Sequence, residues 1–285
     1  MNTYPSIPRV ETAPDRLFDS GHLWLLEKVD GALLRFQLQP SGLIRFGDRN
    51  HVYDDPDDIP APYQHAVRHV REHLERDALR SAVDDVEDVV FFGEATHHHT
   101  IEYDWERTPS FLGFDVWSAT AGAFRPPDAV EGIFEGIGLE PVNAVERELH
   151  TRDFDPDSYT IPQSAWYDGP AVGVVIRNKR GDRAKLLHPD FQDVDTTVSV
   201  DSSAEELAAA YATRRRFETI VGILEDRGQP VTFETLYERV LEDIVREKHN
   251  QLYGEARGFE MGTFRSAVGA LTRAFLEERV NGTQQ

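Results

Sequence analysis

Lys28 is the residue with the clearest chemical potential in this sequence of 285 residues. It lies in Glu27-Lys28-Val29-Asp30-Gly31, at the end of an apolar stretch and two residues before an acid that is followed by a glycine. Of the 30 lysine and arginine side chains only four are lysine. A lysine amine can lose its proton and act as a nucleophile, which arginine cannot do. The pattern makes Lys28 a candidate nucleophile, although a surface turn would explain the same residues.

A basic run lies much later in the chain. It consists of Arg177, Lys179, Arg180, Arg183 and Lys185, five cations within nine residues. A run of charge often forms only a solvated face. In a strongly acidic chain, this local excess of cations favours contacts with phosphate groups.

The net charge of −21 comes from 51 acidic and 30 basic side chains. In dilute salt such a charge repels nucleic acid. Many acids with few lysines are typical of proteins from a salt-saturated cytoplasm, where the Debye length falls to about 3 Å. The composition therefore predicts a halophilic protein, and the net charge does not exclude a polyanionic partner.

Composition excludes several classes of protein. The absence of cysteine excludes a disulfide scaffold, thiolate zinc sites and thiol catalysis. No stretch approaches the roughly 18 apolar residues that a membrane helix needs, and the first 16 residues contain no apolar signal core. We expect a soluble cytoplasmic protein.

The elements that would position Lys28 begin with strands. Alternating apolar residues predict two strands within 23–38, joined at Asp30-Gly31 by a hairpin, and a third strand over 43–46. Residues 63–80 show the spacing of an amphipathic helix. Residues 1–20 contain three prolines and predict an irregular lead-in.

Further strands carry the other candidate groups. Residues 89–92 form an apolar run that leads to Glu94, and residues 111–117 predict a strand that carries Phe114. A helix is expected over 126–138. Residues 171–176 and 184–187 predict a strand pair that contains the basic run.

The pattern changes near residue 198. Ser202-Ser203 with Glu205-Glu206 predicts a helix start, and helical stretches follow over 203–226, 233–250 and 263–280. We expect an α+β domain over 1–198, built on an antiparallel sheet, and a small all-helical domain over 199–285.

The order and spacing of Lys28, Glu94, Phe114, the β-prone run 173–177 and Lys185 resemble those of the covalent nucleotidyltransferases. These are the DNA ligases, RNA ligases and mRNA capping enzymes. More narrowly, residues 20–190 resemble ATP-dependent RNA ligases of the nick-sealing branch, which includes phage and kinetoplastid-editing enzymes. The composition adds the expectation of a haloarchaeal or haloviral source.

The resemblance implies an ATP-grasp-like ligase fold that uses ATP with Mg²⁺ or Mn²⁺. In such enzymes the lysine amine attacks the α-phosphorus of ATP and forms lysyl-AMP. AMP then passes to a 5′-phosphate, and a 3′-hydroxyl displaces it. The implied partners are RNA ends, in nicked or duplex RNA, and we expect a monomer.

The resemblance also assigns roles. It makes Lys28 the nucleophile and Lys185 the second catalytic residue. The implied nucleotide-binding residues are Glu27 at the adenine edge, Asp30 and Gly31 after the nucleophile, Arg49 at the nucleotide or 5′-phosphate, Glu94 at the ribose, Phe114 on the adenine, and Arg183 at the phosphate. Two alternatives stay open: Phe114 as plain core packing and Glu27 as an exposed strand-end acid.

One position departs from the family pattern. The fourth motif of these enzymes has glutamate before glycine, and that glutamate helps to hold the metal, whereas this chain has Val172-Gly173. Valine cannot ligate a divalent ion, which needs oxygen donors. Asp168 and Asp182 are weak substitutes, and phosphates with water could hold the metal instead.

The C-terminal composition separates the possible activities. DNA ligases and capping enzymes carry an OB-fold barrel after the fifth motif, whereas this tail predicts helices, as in nick-sealing RNA ligases. The runner-up activities are a DNA ligase or a capping-type transferase. Val172 favours a third class, a degenerate protein that binds RNA ends or nucleotide without catalysis.

Two other motifs favour plain interpretations. Consecutive side chains of a strand alternate between faces, so His97-His98-His99 cannot all bind one ion, and a loop near the substrate groove is expected. Arg214-Arg215-Arg216 could contact RNA or pair with nearby acids.

Overall fold

The structure is a computed structural model that describes residues 1–191, 202–253 and 259–282. The chain divides into two compact units, Met1–Val194 and Asp195–Gln285. The boundary predicted near residue 198 falls within 192–201, which lies outside the described residues.

In its described residues, the first unit contains strands, three α-helices and several single turns of 3-10 helix. In chain order the strands and α-helices are β1 (His22–Glu27), β2 (Gly31–Leu38), β3 (Ile44–Gly47), β4 (Val52–Tyr53), α1 (Ala61–His73), α2 (Arg76–Ala82), β5 (Val89–Thr96), β6 (Phe111–Ser118), β7 (Ala123–Phe124), α3 (Pro127–Gly136), β8 (Ala144–His150), β9 (Gly173–Asn178) and β10 (Arg183–Leu187).

These strands form two antiparallel sheets. The larger has the order β4-β3-β2-β5-β6-β7 and the smaller the order β10-β9-β1-β8. Phenylalanines of the larger sheet, such as Phe36 and Phe91, pack with Val67 of α1 and Phe134 of α3 in the main core. The predicted fold class, antiparallel α+β followed by helices, is confirmed.

The hairpin predicted at Asp30-Gly31 is wrong, because β1 and β2 belong to different sheets. The Asp30 carboxylate accepts hydrogen bonds from the backbone N–H groups of Thr100 and Ile101, at 2.5 and 3.0 Å. A Cβ at Gly31 would lie 2.3 Å from the carbonyl oxygen of Ala95. The acid thus fixes a crossing between the sheets, and the glycine permits the close approach of β2 to β5.

The other differences have local causes. The helix predicted over 63–80 is two helices, because the chain turns at Leu74 and the N–H of Glu75 donates to the carbonyl of Ile137. Strand β8 was not predicted, since its centre is Glu146-Arg147-Glu148 and shows no apolar alternation. The predicted strand pair over 171–176 and 184–187 is confirmed as β9 and β10. The strands predicted over 89–92 and 111–117 are confirmed as β5 and β6.

The second unit is helical in its described residues. Its helices are α4 (Ala204–Tyr211), α5 (Arg214–Asp226), α6 (Phe233–Glu247), α7 (His249–Tyr253) and α8 (Met261–Gly282). Ser203 and Glu206 form a capping box at the start of α4, which confirms the predicted helix start. The stretch 203–226 divides because the Thr213 side chain caps a new helix by accepting from the N–H of Arg216. No helix in the described part of the chain is long and apolar enough to cross a membrane.

We predict that Gly93→Ala destabilises the first unit by about 1–3 kcal/mol. The added Cβ would lie 2.2 Å from the Phe111 ring, inside the core. The control is Gly132→Ala at an exposed position of α3, where the new Cβ meets nothing within 4 Å. Denaturation followed by tryptophan fluorescence measures this unit alone, because all four tryptophans lie within it. Equal stability of Gly93→Ala and the wild type would contradict the described packing of β5 on β6.

Candidate active site

A cavity of about 510 Å³ lies between the two sheets of the first unit. Pockets of this size are typical of small-molecule sites. One side of the cavity is formed by the end of β1 and by β9 and β10, and the other by β2, β5 and β6. Most of the predicted site residues line it: Glu27, Lys28, Gly31, Arg49, Glu94, Phe114 and Lys185.

Lys28 lies where β1 ends and its backbone is held on both sides. The N–H of Lys28 donates to the carbonyl of Gly173 at 2.9 Å, and the N–H of Glu27 donates to the carbonyl of Asn143 at 2.8 Å. Lys28 is half-buried, and its amine donates one hydrogen bond within the described residues, to the carbonyl of Val29 at 3.3 Å. The fixed backbone therefore presents the amine to the cavity.

Three cations at this cavity have no acidic partner within the described ranges. These are Lys28, Arg49 and Lys185. Lys179, from the same basic run, instead pairs with Asp128 at 2.8 Å and Glu148 at 2.7 Å. In a chain of net charge −21, three cations that converge on one cavity without a direct ion pair form a site for an anion with several charges.

The positive potential affects the titration of neighbouring groups. Burial lowers the pKa of Lys185, and the charges of Lys28, Arg9 and Arg49 lower it further. Burial raises the pKa of Glu94 to about 7 against the opposing effect of Lys28, and Asp30 adds to the rise. Glu94 can therefore exchange a proton near neutral pH.

Glu27 is buried, so the alternative of an exposed strand-end acid is wrong. Its carboxylate accepts hydrogen bonds from the Ser164 hydroxyl at 2.6 Å, the Ala165 N–H at 3.1 Å and the Asn143 amide at 3.2 Å. These bonds tie two loops to the end of β1. Glu27 thereby shapes the cavity wall next to Lys28.

Arg183 does not reach the cavity. Its guanidinium donates to the Asp115 carboxylate at 2.6 Å and lies over the rings of Phe124 and Tyr4. Asp115 has no exposed surface and therefore needs a cationic partner. Asp30 does not line the cavity either. It is buried, and its carboxylate accepts hydrogen bonds from the loop at 100–101.

Arg177 lines the cavity in place of Arg183. It donates to Asp115 at 2.9 Å and to the backbone carbonyl of Phe114 at 2.9 Å. Phe114 is half-buried, and its ring meets Tyr4 edge-on with the ring centroids 5.0 Å apart. The basic run thus contributes one structural arginine and one lysine to this site.

Sequence reasoning missed the contribution of the lead-in. Tyr4, Ser6 and Ile7 line the cavity, and Tyr63 joins them from α1. Burial raises the pKa of Tyr63 to about 12, so its hydroxyl stays protonated at neutral pH and can donate a hydrogen bond. The proline-rich sequence around Tyr4 has no periodicity from which this position could be found.

The structure does not bring the proposed metal ligands together. Val172 is buried in an apolar cluster with Val29 and Val142. Asp168 is exposed near Arg107, and Asp182 pairs with Arg16 at 2.7 Å, so neither acid lines the cavity. No group of three or more ligand side chains that could hold a metal occurs among the described residues, which include His97-His98-His99. The donor set does not fit an ion held by the protein alone.

In the second unit, the run Arg214-Arg215-Arg216 pairs largely with nearby acids, which was the plainer of its two interpretations. Arg214 pairs with Glu218 and Glu278, both at 2.9 Å. Arg216 pairs with Glu247 at 2.7 Å and with Asp243. Two of the three arginines thus stabilise the helical unit.

Comparison with protein families shows to which family the chain belongs. The RNA ligase family model matches residues 21–187, which is more than half of the chain and includes both Lys28 and Lys185. The chain belongs to the RNA ligase family. No curated protein matches it.

Solved RNA ligases resemble the structure. The Naegleria gruberi RNA ligase with pyrophosphate matches with a TM-score of 0.51 and 15% identity. A mutant of the same ligase with ATP and Mn matches with a TM-score of 0.51 and 12% identity. Each match covers 67% of this chain and 57% of the Naegleria chain. An archaeal ATP-dependent RNA ligase covers 99% of this chain and 67% of its own, with 16% identity and a TM-score of 0.48.

This chain therefore spans little more than half the length of the Naegleria ligase. At such low identity, the likeness establishes the shared fold. The chemistry of this RNA ligase family member has to be argued from its own cavity.

We predict that Glu94→Gln stabilises the first unit by about 3 kcal/mol at pH 8 and by less than about 0.5 kcal/mol at pH 4.5. A carboxyl whose folded-state pKa is raised favours folding only while protonated. The wild type should lose this stability as the pH rises from about 4.5 through about 7. Urea denaturation followed by tryptophan fluorescence at both pH values measures the difference. The exposed Glu11→Gln is the control for the loss of a surface charge, and a stability difference independent of pH would refute the raised pKa.

Proposed function

We propose that this chain is an ATP-dependent RNA ligase that joins 3′-hydroxyl and 5′-phosphate ends through lysyl-AMP. The observation that carries the proposal is the convergence of Lys28, Arg49 and Lys185 on one cavity without acidic partners in the described structure. Three such cations complement the charge of a nucleoside triphosphate. Only lysine among these cations can also act as the nucleophile.

In the first step, the neutral Lys28 amine attacks the α-phosphorus of ATP. A P–N bond forms, the bond to the bridging oxygen breaks, and pyrophosphate leaves with that electron pair. The amine releases its proton to water. Lys185 and Arg49 stabilise the negative charge that develops on the phosphates.

The remaining cavity residues bind the nucleoside. Phe114 offers a ring for the purine, held by the bond from Arg177 to its carbonyl. Glu94 accepts a hydrogen bond from a ribose hydroxyl. Glu27 already accepts three hydrogen bonds, so we assign it to shaping the adenine edge of the pocket.

In the second step, an oxygen of the RNA 5′-phosphate attacks the phosphorus of lysyl-AMP. The P–N bond breaks, and the departing amine takes up a proton. In the third step, the 3′-hydroxyl attacks the 5′-phosphorus and loses its proton to water, and AMP leaves. These steps seal the strand and regenerate Lys28.

The divalent cation belongs to the substrate in this proposal. Mg²⁺ is commonly bound by substrate phosphates and water rather than by a cage of protein ligands. The position of Val172 in an apolar cluster agrees with this arrangement. We assign Mg²⁺ or Mn²⁺ to the complex with ATP.

The finer assignments follow from composition and from the helical second unit. We propose a nick-sealing enzyme that acts as a monomer on nicked or duplex RNA in the cytoplasm of a halophilic archaeon or its virus. The second candidate function is a protein that binds RNA ends or nucleotide without catalysis, and Val172 is the observation that favours it.

We predict that labelled ATP with Mn²⁺, in molar KCl, forms a covalent adduct with the wild type that survives a denaturing gel. Lys28→Arg should reduce the adduct to background, because arginine keeps the charge but cannot attack. Lys179→Arg is the matched control, since an arginine can preserve the pairs with Asp128 and Glu148. Wild type without adduct at any salt or metal concentration would leave the non-catalytic candidate. An adduct with labelled GTP in preference to ATP would favour a capping-type enzyme.

We also predict that the wild type seals a 3′-hydroxyl/5′-phosphate nick in duplex RNA at least about tenfold faster than the same nick in DNA. The measurement is the length of the end-labelled strand after incubation with ATP. Lys28→Arg should form no sealed product. Equal sealing of both duplexes would contradict the predicted preference for RNA, and faster sealing of DNA would make the chain a DNA-end ligase.

A further inference from the structure

The segment Asn2–Arg9 forms one wall of the cavity, although it belongs to no strand of either sheet. Arg35 of β2 donates to the carbonyl of Asn2 at 2.5 Å, and the N–H of Lys185 donates to the carbonyl of Pro8 at 2.9 Å. Between these attachments, Tyr4, Ser6 and Ile7 line the cavity. The segment therefore runs across the cavity from β2 to the edge of β10.

Tyr4 anchors this segment. Only 7% of its surface is exposed, and its ring contacts Phe92, Phe114 and Phe124 at centroid distances of 5.2, 5.0 and 5.4 Å. Its hydroxyl donates to Asp115 at 3.0 Å. The segment is thus fastened to the same carboxylate that holds Arg177 and Arg183.

Arg9 lies next to Lys185 at the other end of the segment. The two residues form a parallel β-bridge, which places neighbouring side chains on the same face. The Arg9 charge also contributes to the lowered pKa of Lys185. Arg9 is exposed and makes no ion pair with any residue that the structure describes.

The segment Asn2–Arg9 places Tyr4 and Arg9 at opposite ends of the proposed nucleotide site. Tyr4 lies beside Phe114, where the base is proposed to bind, whereas Arg9 lies beside Lys185, where the phosphates are proposed to bind. Arg9 is exposed and does not itself line the cavity, whereas Lys185 does, so Arg9 lies on the solvent side of Lys185. The β- and γ-phosphates of a bound triphosphate are the groups that would extend in that direction.

We propose that Arg9 binds the departing pyrophosphate portion of ATP and that Tyr4 is the positioning residue that holds Arg9 there. This inference rests on the proposed function, since it assigns Arg9 to the same nucleotide site. It adds a fourth cation, from outside the family match at residues 21–187, to Lys28, Arg49 and Lys185.

The test is calorimetric titration of the chain with ATP and with AMP, both in the presence of Mg²⁺. Arg9→Ala should weaken ATP binding about tenfold, the lower end of the effect of one hydrogen bond to a charged group. AMP binding should stay unchanged, because AMP lacks the β- and γ-phosphates. Arg9→Lys should restore part of the affinity for ATP. Arg16→Ala is the matched control, because Arg16 lies in the same lead-in but pairs with Asp182.

Tyr4→Phe tests the positioning role, because it keeps the ring beside Phe114 and removes only the bond to Asp115. It should weaken ATP binding about threefold, less than loss of the charged Arg9 contact, and weaken AMP binding less than ATP binding. If Tyr4 acts through Arg9, the double variant should be no weaker than Arg9→Ala alone. Additive losses in this cycle would overturn the role of Tyr4.

The two proposals fail in different ways. If the wild type binds ATP but Arg9→Ala binds it equally well, the assignment of Arg9 is overturned and the ligase proposal stands. If Arg9→Ala weakens AMP and ATP equally, Arg9 does not bind the pyrophosphate portion. If the wild type binds neither nucleotide, the proposed function itself is refuted.

Discussion

The buried Asp115 carboxylate joins the two sheets of the first unit, and the cavity between them depends on it. It lies on β6 of the larger sheet and accepts bonds from Arg177 of β9 and Arg183 of β10 in the smaller sheet. A buried carboxylate must be paired, and removing one member of such a cluster costs about 3–5 kcal/mol. The cluster therefore fixes the separation of the two sheets and with it the width of the cavity. Tyr4 extends the same constraint to the lead-in.

The basic residues fall into two groups. Arg177, Arg183 and Lys179 have acidic partners, so their charges are neutralised within the fold. Lys28 and Lys185 have no such partners among the described residues, and both reach the cavity. The net charge of −21 therefore describes the average surface, while the cavity carries the opposite sign. A polyanion that enters the cavity is therefore attracted by these lysines.

The sequence predicted correctly most of the residues that meet at the cavity. It predicted less well how the chain runs between them. Lys28, Glu94 and Lys185 converge as the family resemblance implies. The Asp30-Gly31 signal suggested a hairpin because Asp-Gly suits a tight turn, but the aspartate binds a loop about 70 residues away in sequence. Such long-range use of a side chain leaves no local pattern. The different fates of Arg183 and Lys185 depend on the burial of Asp115, which strand alternation alone cannot reveal.

Peptide mass spectrometry after incubation with ATP and Mn²⁺ tests the central claim most directly, because it locates the modified atom. The account predicts AMP attached to the peptide that contains Lys28, through its side-chain amine. Lys28 is half-buried and lines the cavity, and hydrogen bonds hold its backbone at the end of β1. AMP attached to another lysine, or an unmodified protein that nevertheless binds ATP, would contradict the assignment of Lys28 as the nucleophile.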